Sequence, residues 1–177
     1  MLIREKDLCI RNAEKADGAQ LAAWWNDGRI MAHAGFPLGL GTSAEEIAES
    51  LASDGDETGR RLILSWRDRA IGEMSYRNLG ERTAEIGIKI CESDCQEKGL
   101  GRVFLSLLIR ELFHRGYTRI VLDTNVKNTR AQHVYELLGF EKLRVNENAW
   151  QDQLGEYQSS VDYALTPERF RDCAEAE

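Results

Sequence analysis

Short stretches in which apolar and polar residues alternate predict β-strands in the middle of the chain. Residues 62–66 and 71–78 are rich in strand-forming side chains, and Arg67-Asp68-Arg69 between them has the length of a tight turn. This arrangement predicts a β-hairpin. The next stretch, residues 85–90, alternates in the same way. Further strands are predicted at residues 8–11, 118–123, 140–145 and 157–165.

Other segments repeat apolar residues every three or four positions, which predicts amphipathic helices. In the longest, residues 102–115, Val103, Phe104 and Leu107 share one face, and Gly116 suits the helix end. Ser43-Ala44-Glu45-Glu46 matches a capping box, in which the Ser and Glu side chains each accept a hydrogen bond from the other's N–H. Asp17 and Asn128 (or Thr129) are suitable first caps for two more helices, of which the first carries Leu21, Ala22, Trp24 and Trp25 and the second runs to about Leu138. A short helix is predicted after Thr166.

The order of these elements indicates the fold class. Hairpins come first, a strand–helix–strand–helix–strand run follows, and a last strand closes the chain. About seven strands and about five helices in this order predict an α/β (mixed α+β) fold, with a mixed, mostly antiparallel sheet and helices on both faces. The chain has 177 residues without a linker or repeat. We therefore expect a single domain over residues 1–177, in which 168–177 form a terminal helix and a frayed tail.

A polar, glycine-rich segment connects the strand at 85–90 to the longest helix. It reads Gln96-Glu97-Lys98-Gly99-Leu100-Gly101. The start of a helix offers unpaired N–H groups and the positive end of the helix dipole, which favour a phosphate group. Glycine also lets a ligand approach the backbone closely. The segment is therefore a candidate phosphate site, although a glycine pair also serves as a plain connection.

Composition narrows the classes of function. The formal net charge is −7, from 23 basic and 30 acidic residues. This charge argues against a nucleic-acid surface and suits a cationic substrate such as an amine. No apolar run approaches the roughly 20 residues that span a membrane, and the first residues lack the apolar core of a secretory signal, so we expect a cytoplasmic protein. No metal site is expected, because no histidine lies at zinc-site spacing from the cysteines, which are Cys9, Cys91, Cys95 and Cys173.

Three further segments have a composition that suits a second substrate site. Trp24 and Trp25 either pack in the core or form a wall of such a site. Residues 35–41 contain three glycines and Pro37, which predicts an apolar loop of the kind that covers a site. Residues 146–155 are predicted to form a polar loop around Trp150.

The chain contains two motifs in this order: Gln96-x-x-Gly99-x-Gly101 and Asn128-x-x-Ala131-x-x-x-Tyr135-Glu136-x-x-Gly139-Phe140. Together they resemble the coenzyme A segments of the GNAT N-acetyltransferases. The first motif is similar to the family's pyrophosphate loop and the second motif to its second coenzyme A segment, and the spacing between them is that of the family. The resemblance is strong over residues 83–142, and residues 150–165 resemble the closing strands of the ribosomal-protein and aminoglycoside acetyltransferase branches.

The resemblance implies a sheet in which the strand before the glycine loop splays away from the next strand. It also implies that acetyl-CoA lies in this gap, with its pyrophosphate on the loop, its thioester beside the end of the strand, Asn128 at the pantetheine arm and Tyr135 near the sulfur. The cofactor-binding residues implied are Ile88, Lys89, Ile90, Gln96, Glu97, Lys98, Gly99, Leu100, Gly101, Arg102, Asn128, Ala131 and Tyr135.

The implied reaction is direct attack of a primary amine on the thioester of acetyl-CoA. An alkylamine with a pKa near ~10.4 is mostly protonated at neutral pH, so a base has to remove a proton, directly or through water. The leaving thiolate benefits from a proton donor, and we hypothesise that this is Tyr135, although its place on an apolar helix face also fits core packing. Glu85 is the preferred candidate base, while Glu73 and a water relay stay open.

Two other functions compete with this interpretation. A dinucleotide-binding protein would place Asp123 on a ribose, about 20 residues after the glycines, but Phe104 stands where the third glycine belongs. A non-catalytic acyl-CoA-binding regulatory module would keep the pocket without turnover. For an enzyme, the acceptor is a small-molecule amine or a protein amino group, and the sequence does not distinguish them. We expect neither a nucleic-acid nor a membrane partner, and a homodimer is the base-rate expectation.

Overall fold

The computed structural model describes residues 1–174, and its centre is one sheet. The strands are β1 (Leu2–Glu5), β2 (Leu8–Asn12), β3 (Gly59–Trp66), β4 (Arg69–Gly80), β5 (Thr83–Ile90), β6 (Arg119–Asn125), β7 (Glu141–Gln151) and β8 (Tyr157–Leu165). Their order is β1–β2–β3–β4–β5–β6–β8–β7. Neighbours are antiparallel except β5 and β6, which are parallel. The predicted mixed, mostly antiparallel sheet is confirmed.

Helices connect the strands, and the structure shows which of the predicted helix caps form. The Ser43–Glu46 capping box is present, and the Asn128 side chain accepts a hydrogen bond from the Ala131 N–H (3.2 Å). Asp17 does not cap the first helix with its side chain, because that carboxylate binds Arg11 at 2.7 Å. The helices are α1 (Gly18–Trp25), α2 (Gly28–Met31), α3 (Ala44–Ser50), α4 (Leu100–His114) and α5 (Thr129–Leu137), with 3-10 turns at Lys15–Asp17, Ala32–Ala34, Leu51–Ser53, Ser93–Cys95 and Pro167–Arg169.

Strand alternation divides the core between the two faces of the sheet. In β3, Leu62 and Leu64 are fully buried in the cluster that contains Phe104 of α4. Ile63, between them, is fully buried in a second cluster with Leu21 of α1. Burial of one such aliphatic side chain contributes about 1.5–3 kcal/mol. Helices α4 and α5 therefore cover one face and α1 and α3 the other, as predicted.

Three parts of the chain differ from the prediction. Leu2–Glu5 forms β1, an edge strand that the sequence did not predict because four residues are too few to show alternation. Residues 146–155 are not simply a loop, since β7 continues to Gln151 and the chain turns only beyond it. This edge strand is exposed on both faces except at Asn146 and Trp150, so its polar stretch lacks the alternation that indicates a strand. The predicted terminal helix is the single turn Pro167–Arg169, and positions 175–177 lie outside the described residues.

The pairing of β5 with β6 ends after three residue pairs, of which Glu85–Val121 is the last. Beyond it, β5 runs on to Ile90 with β4 as its strand partner, and β6 runs on to Asn125 with β8 as its partner. Two parallel neighbours therefore diverge in the middle of the sheet. Between them lies a gap, in which the facing edge of β5 keeps backbone N–H and C=O groups without a strand partner.

Residues 35–41 form a loop that we call the lid, and Gln153 holds it in place. The backbone N–H of Gln153 donates to the Gly35 carbonyl (2.8 Å). Its side-chain amide accepts from the Leu38 N–H (2.8 Å) and donates to the Gly39 carbonyl (3.0 Å). The turn after β7 therefore fixes the path of the lid.

Gly39→Ala is expected to destabilise the fold more than Gly155→Ala. The φ angles are +78° and +80°, so alanine costs about 1–2 kcal/mol of backbone strain at either position. At Gly39 a Cβ would also lie 2.2 Å from the Asn26 carbonyl oxygen, whereas at Gly155 it would meet nothing within 4 Å. Urea unfolding should show a further loss of about 1–3 kcal/mol for Gly39→Ala. Equal losses would contradict a tightly packed lid.

Candidate active site

A groove crosses the face of the sheet that α1 and α3 share. It consists of two connected parts, of about 550 and 430 Å³, which meet above Ser75 and Gly87. Because Gly87 has no side chain, it leaves the middle of the groove open. Directly opposed residues of β4 and β5 form the floor: Glu73 with Lys89, Ser75 with Gly87, and Arg77 with Glu85.

One end of the groove is apolar and is formed by Trp25, Met31 and the lid residue Leu40. The Trp25 indole N–H donates to Glu73 Oε1 (2.9 Å). The Lys89 Nζ lies 3.6 Å from the same oxygen and 3.0 Å from the Met31 Sδ. An ion pair thus lies on the floor beneath an apolar wall. The Lys89 side chain belongs to this groove, so only its backbone faces the gap between β5 and β6.

Asp123 of β6 lies at the other end of the groove. Asp123 lies two residues beyond Val121, the last residue of β6 that pairs with β5, so it stands where the gap begins. Its side chain is accessible from the groove, yet the surrounding protein removes part of its hydration. This desolvation, with the negative charges of Asp162 and Glu85, raises the pKa of the Asp123 carboxyl group. Among residues 1–174, no other residue forms a hydrogen bond or an ion pair with its side chain.

The other carboxylates of the groove lie beside cations. The pairs are Glu85 with Arg77 (2.6 Å), Asp54 with Arg61 (2.6 Å) and Glu73 with Lys89 (3.6 Å). The preferred candidate base Glu85 is therefore tied to a cation, and Asp123 is the groove carboxylate that the described part of the chain leaves unpaired. From the sequence alone, Asp123 has a role only in the dinucleotide-binding interpretation, in which it would bind a ribose. The signal that identifies it is its position near the carboxyl end of a central parallel strand, where ligands bind in open sheets.

Tyr135 of α5 lies on the opposite face of the sheet, in the core cluster that contains Leu122 of β6. It is 7% exposed, and its ring centroid lies 5.8 Å from that of Phe140 and 5.6 Å from that of Tyr163. Burial, and then the negative charge of Asp123, raise the pKa of Tyr135 to about 12. The hydroxyl therefore keeps its proton at neutral pH. Asp123 and Tyr135 therefore lie on opposite faces of the sheet.

The glycine loop lies between the end of β5 and α4. Gly99 is the N-cap of α4 with φ +76°, and a Cβ there would meet nothing within 4 Å, so this position needs glycine for its backbone conformation. A Cβ on Gly101 would lie 3.9 Å from Ile90 and 4.0 Å from Ile88. The Gln96 side chain donates to the Ile90 carbonyl (2.9 Å). The loop is therefore tied to the strand that borders the gap.

The first turn of α4 carries hydrogen-bond donors and cations that lack protein partners. Within the described residues, the N–H groups of Leu100 and Gly101 make no hydrogen bond. The Arg102 guanidinium likewise has none there, and its Nε is buried. Lys98 Nζ lies 5.2 Å from the ring centroid of Trp66 and has no carboxylate partner in the same range. Unpaired cations beside a helix N-terminus fit a ligand that carries phosphate groups.

The second motif lies across the mouth of the gap from this loop. Ala131 packs against the main core, and Asn128 caps α5. Arg130 forms an ion pair with Glu97 of the loop, which links the two motifs. The structure therefore brings both motifs together at the mouth of the gap, beside the end of β5. Among residues 1–174, no group of three or more His, Cys, Asp or Glu residues is placed to hold a metal ion, and no helix could span a membrane.

The sheet opens between two parallel strands, beside a helix start that suits a ligand with phosphate groups. Residues 7–141 match the family model of the acetyltransferase (GNAT) domain, and the chain belongs to this family. The predicted family is thereby confirmed. The fold is similar to that of spermidine N-acetyltransferase from Vibrio cholerae, solved with CoA and spermine. The TM-score is 0.82 at 23% identity, over 93% of this chain and 98% of that one.

Two relatives match parts of the chain in sequence. The ribosomal protein bS18-alanine N-acetyltransferase of Salmonella typhimurium is 36% identical over 74 residues, 42% of this chain and 49% of that protein. The mycothiol acetyltransferase of Corynebacterium jeikeium is 29% identical over 109 residues, 59% of this chain and 31% of that protein. The matched part of the chain thus spans half or less of the length of these relatives.

Tyr135→Phe is expected to remove a pH-dependent part of the stability. The pKa of Tyr135 is about 12 in the folded chain, against about 10 for an unperturbed tyrosine. The unfolded chain therefore loses its proton first, so a contribution that is complete below about pH 10 is lost as the pH rises towards the folded value. The free energy of unfolding should fall less steeply in the variant over this range. Tyr157→Phe, at a 64% exposed side chain, is the matched control and should keep the wild-type slope.

Proposed function

We propose that this protein is an acetyl-CoA-dependent N-acetyltransferase that transfers the acetyl group to a primary amine by direct attack on the thioester. The observation that carries this proposal is the gap between β5 and β6, which lies beside a helix start whose first N–H groups have no protein partner within the described residues. Asp123 lies in the groove on one face of the sheet, and Tyr135 lies in the core on the other face. Membership of the GNAT family supports it. We also propose a cytoplasmic location, because one relative acts, by its name, on a ribosomal protein.

In this proposal the chain binds acetyl-CoA along the gap, and acetyl-CoA supplies the activated acyl group. The N–H groups of Leu100 and Gly101, with the Arg102 guanidinium, bind the pyrophosphate because these donors lack protein partners. The unpaired edge of β5 at Ile88–Ile90 hydrogen-bonds the pantetheine amides, since a free strand edge presents alternating donors and acceptors. Asn128 and Ala131 border the other side.

The two side chains at the gap then divide the proton transfers. Asp123 attracts the ammonium group of the acceptor and takes its proton, which frees the nitrogen to attack the carbonyl carbon. As the carbon–sulfur bond breaks, the Tyr135 hydroxyl gives its proton to the leaving thiolate. The nitrogen, which is positively charged after its attack, releases its second proton, and this proton returns through water to the Tyr135 phenolate. A backbone N–H on the open edge of β5 stabilises the charge on the carbonyl oxygen. Glu85 remains a second candidate base, but Asp123 is better placed because Arg77 already holds Glu85.

The charge arrangement of the groove favours an acceptor with one positive charge. Asp54, Glu73 and Glu85 are paired with cations, so Asp123 is the carboxylate that can meet an ammonium group. A polyamine would place its further ammonium groups beside the paired cations of the groove. A peptide α-amine carries one charge, and its pKa of about 7.7–8.0 makes its proton easier to remove than that of an alkylamine. We therefore propose the α-amino group of a peptide or protein as acceptor, with an uncharged side chain against Trp25.

The first experiment measures acetyl-CoA binding by calorimetry, with NAD as control, and then free-thiol release with amines. We expect binding of acetyl-CoA alone and amine-dependent thiol release. Tyr135→Phe should lower kcat about 10²-fold or more while the Kd for acetyl-CoA changes little. Acetyl-CoA binding without thiol release from any amine would contradict the enzyme and favour the regulatory module. Absence of binding would refute both.

Asp123→Asn should lower kcat/KM about 10²–10⁴-fold and change its pH dependence. Because the base acts as a carboxylate and its pKa is raised, wild-type activity should fall as the pH drops through that pKa. The variant should lack this acidic limb. Glu85→Gln is the comparison, and it should keep the limb. If Glu85→Gln lost this fall of activity at low pH and Asp123→Asn kept it, Glu85 would be the base in place of Asp123.

A peptide with N-terminal alanine and no other charge should be a better acceptor than spermidine, by about tenfold or more in kcat/KM, because like charges in the groove oppose a second ammonium group. Thiol release with each acceptor measures this. Lys89→Met leaves the Glu73 carboxylate without its cation and should raise the activity towards spermidine relative to the peptide. Faster acetylation of spermidine by the wild type would contradict the proposed acceptor class.

A further inference from the structure

An exposed ion pair crosses the mouth of the gap. Arg130, in the first turn of α5, pairs with Glu97 of the glycine loop. The side chains are 64% and 70% exposed. Ion pairs exposed to this degree contribute little to stability, because water and salt screen them. The pair can therefore be exchanged for another partner at small cost.

Glu97 is an unexpected residue at this position. Its backbone has φ +62°, in the left-handed region that a glutamate rarely adopts. Its carboxylate adds a negative charge to a segment that otherwise offers Lys98, Arg102 and the start of α4 to an anion. Without Arg130, this charge would oppose a phosphate group at the loop. The pairing with Arg130 therefore neutralises the one anionic side chain of residues 96–102.

We propose that the Glu97–Arg130 pair is exchanged when acetyl-CoA binds, so that Arg130 leaves Glu97 and binds a phosphate group of the cofactor. This inference rests on the proposed function, since it concerns the same cofactor. A phosphate offers Arg130 more charge and more acceptor oxygens than a carboxylate, and guanidinium–phosphate pairs are among the stronger charge-assisted interactions. Arg130 is then a ligand of the cofactor, and Glu97 is a competing anion that holds Arg130 at the mouth of the gap until the cofactor arrives.

The exchange predicts effects of opposite sign for the two partners. Arg130→Gln should weaken acetyl-CoA binding by about three- to tenfold, because a phosphate contact is lost. Glu97→Gln should tighten it by about two- to fivefold, because the competing anion is removed. Both values come from calorimetric titration of the purified full chain. A purely structural ion pair would instead make both substitutions weaken binding.

The Glu141–Arg169 pair supplies matched controls. It lies beyond the other end of α5, with an N–O distance of 3.9 Å and side chains that are 60% and 54% exposed. Glu141→Gln and Arg169→Gln make the same changes of charge and should leave acetyl-CoA binding at the wild-type value. If Arg130→Gln binds acetyl-CoA as tightly as Arg169→Gln does, or if Glu97→Gln weakens binding, the exchange is refuted.

A second ligand identifies the phosphate group. Dephospho-CoA lacks the 3′-phosphate of CoA but keeps the pyrophosphate. If Arg130 binds the 3′-phosphate, Arg130→Gln loses the wild-type preference for CoA over dephospho-CoA. If it binds the pyrophosphate, both ligands lose affinity equally, and either result supports the proposal. Failure of the wild type to bind acetyl-CoA would overturn the proposed function, whereas wild-type binding with unaffected variants would overturn this inference alone.

Discussion

The early end of the pairing between β5 and β6 is the constraint on which the rest of the site depends. Each strand keeps its course because its outer neighbour holds it: β4 pairs with β5 as far as Ile90, and β8 pairs with β6 as far as Asn125. The sheet therefore opens without losing either strand. From this one separation follow the free edge of β5 and the access from the groove to Asp123 of β6.

The elements around this opening could be predicted because their side chains are buried on a regular period. β5 and α4 have a clear apolar pattern, and the glycine loop between them matches a known spacing. β1 and β7 could not be predicted in full, because one is short and the other is exposed on both faces. In edge strands the burial that produces a pattern is missing, although the backbone pairing is complete.

The candidate base shows a different limit of the sequence. Whether an acidic residue is free depends on which cation the register places opposite it, and register is a property of pairs of strands. Arg77 stands opposite Glu85 only because of the irregular turn region between β4 and β5, where the register shifts near Gly80. Nothing in either strand alone indicates this pairing. The consecutive tryptophans of α1 differ in role because neighbouring positions of a helix point in different directions: Trp24 is 3% exposed in the core, and Trp25 lines the groove.

Close backbone contacts hold the lid at Pro37 and at Gly39. A Cβ on Gly28 would lie 1.9 Å from the Pro37 carbonyl oxygen, and one on Gly39 would lie 2.2 Å from that of Asn26. Insertions or shifts of this loop are therefore hard for descendants of the chain to accept. A change of acceptor during evolution is therefore expected to replace side chains and to keep the backbone path of the loop. The side chains concerned are those that face the groove, Leu40 of the lid and Met31 of α2.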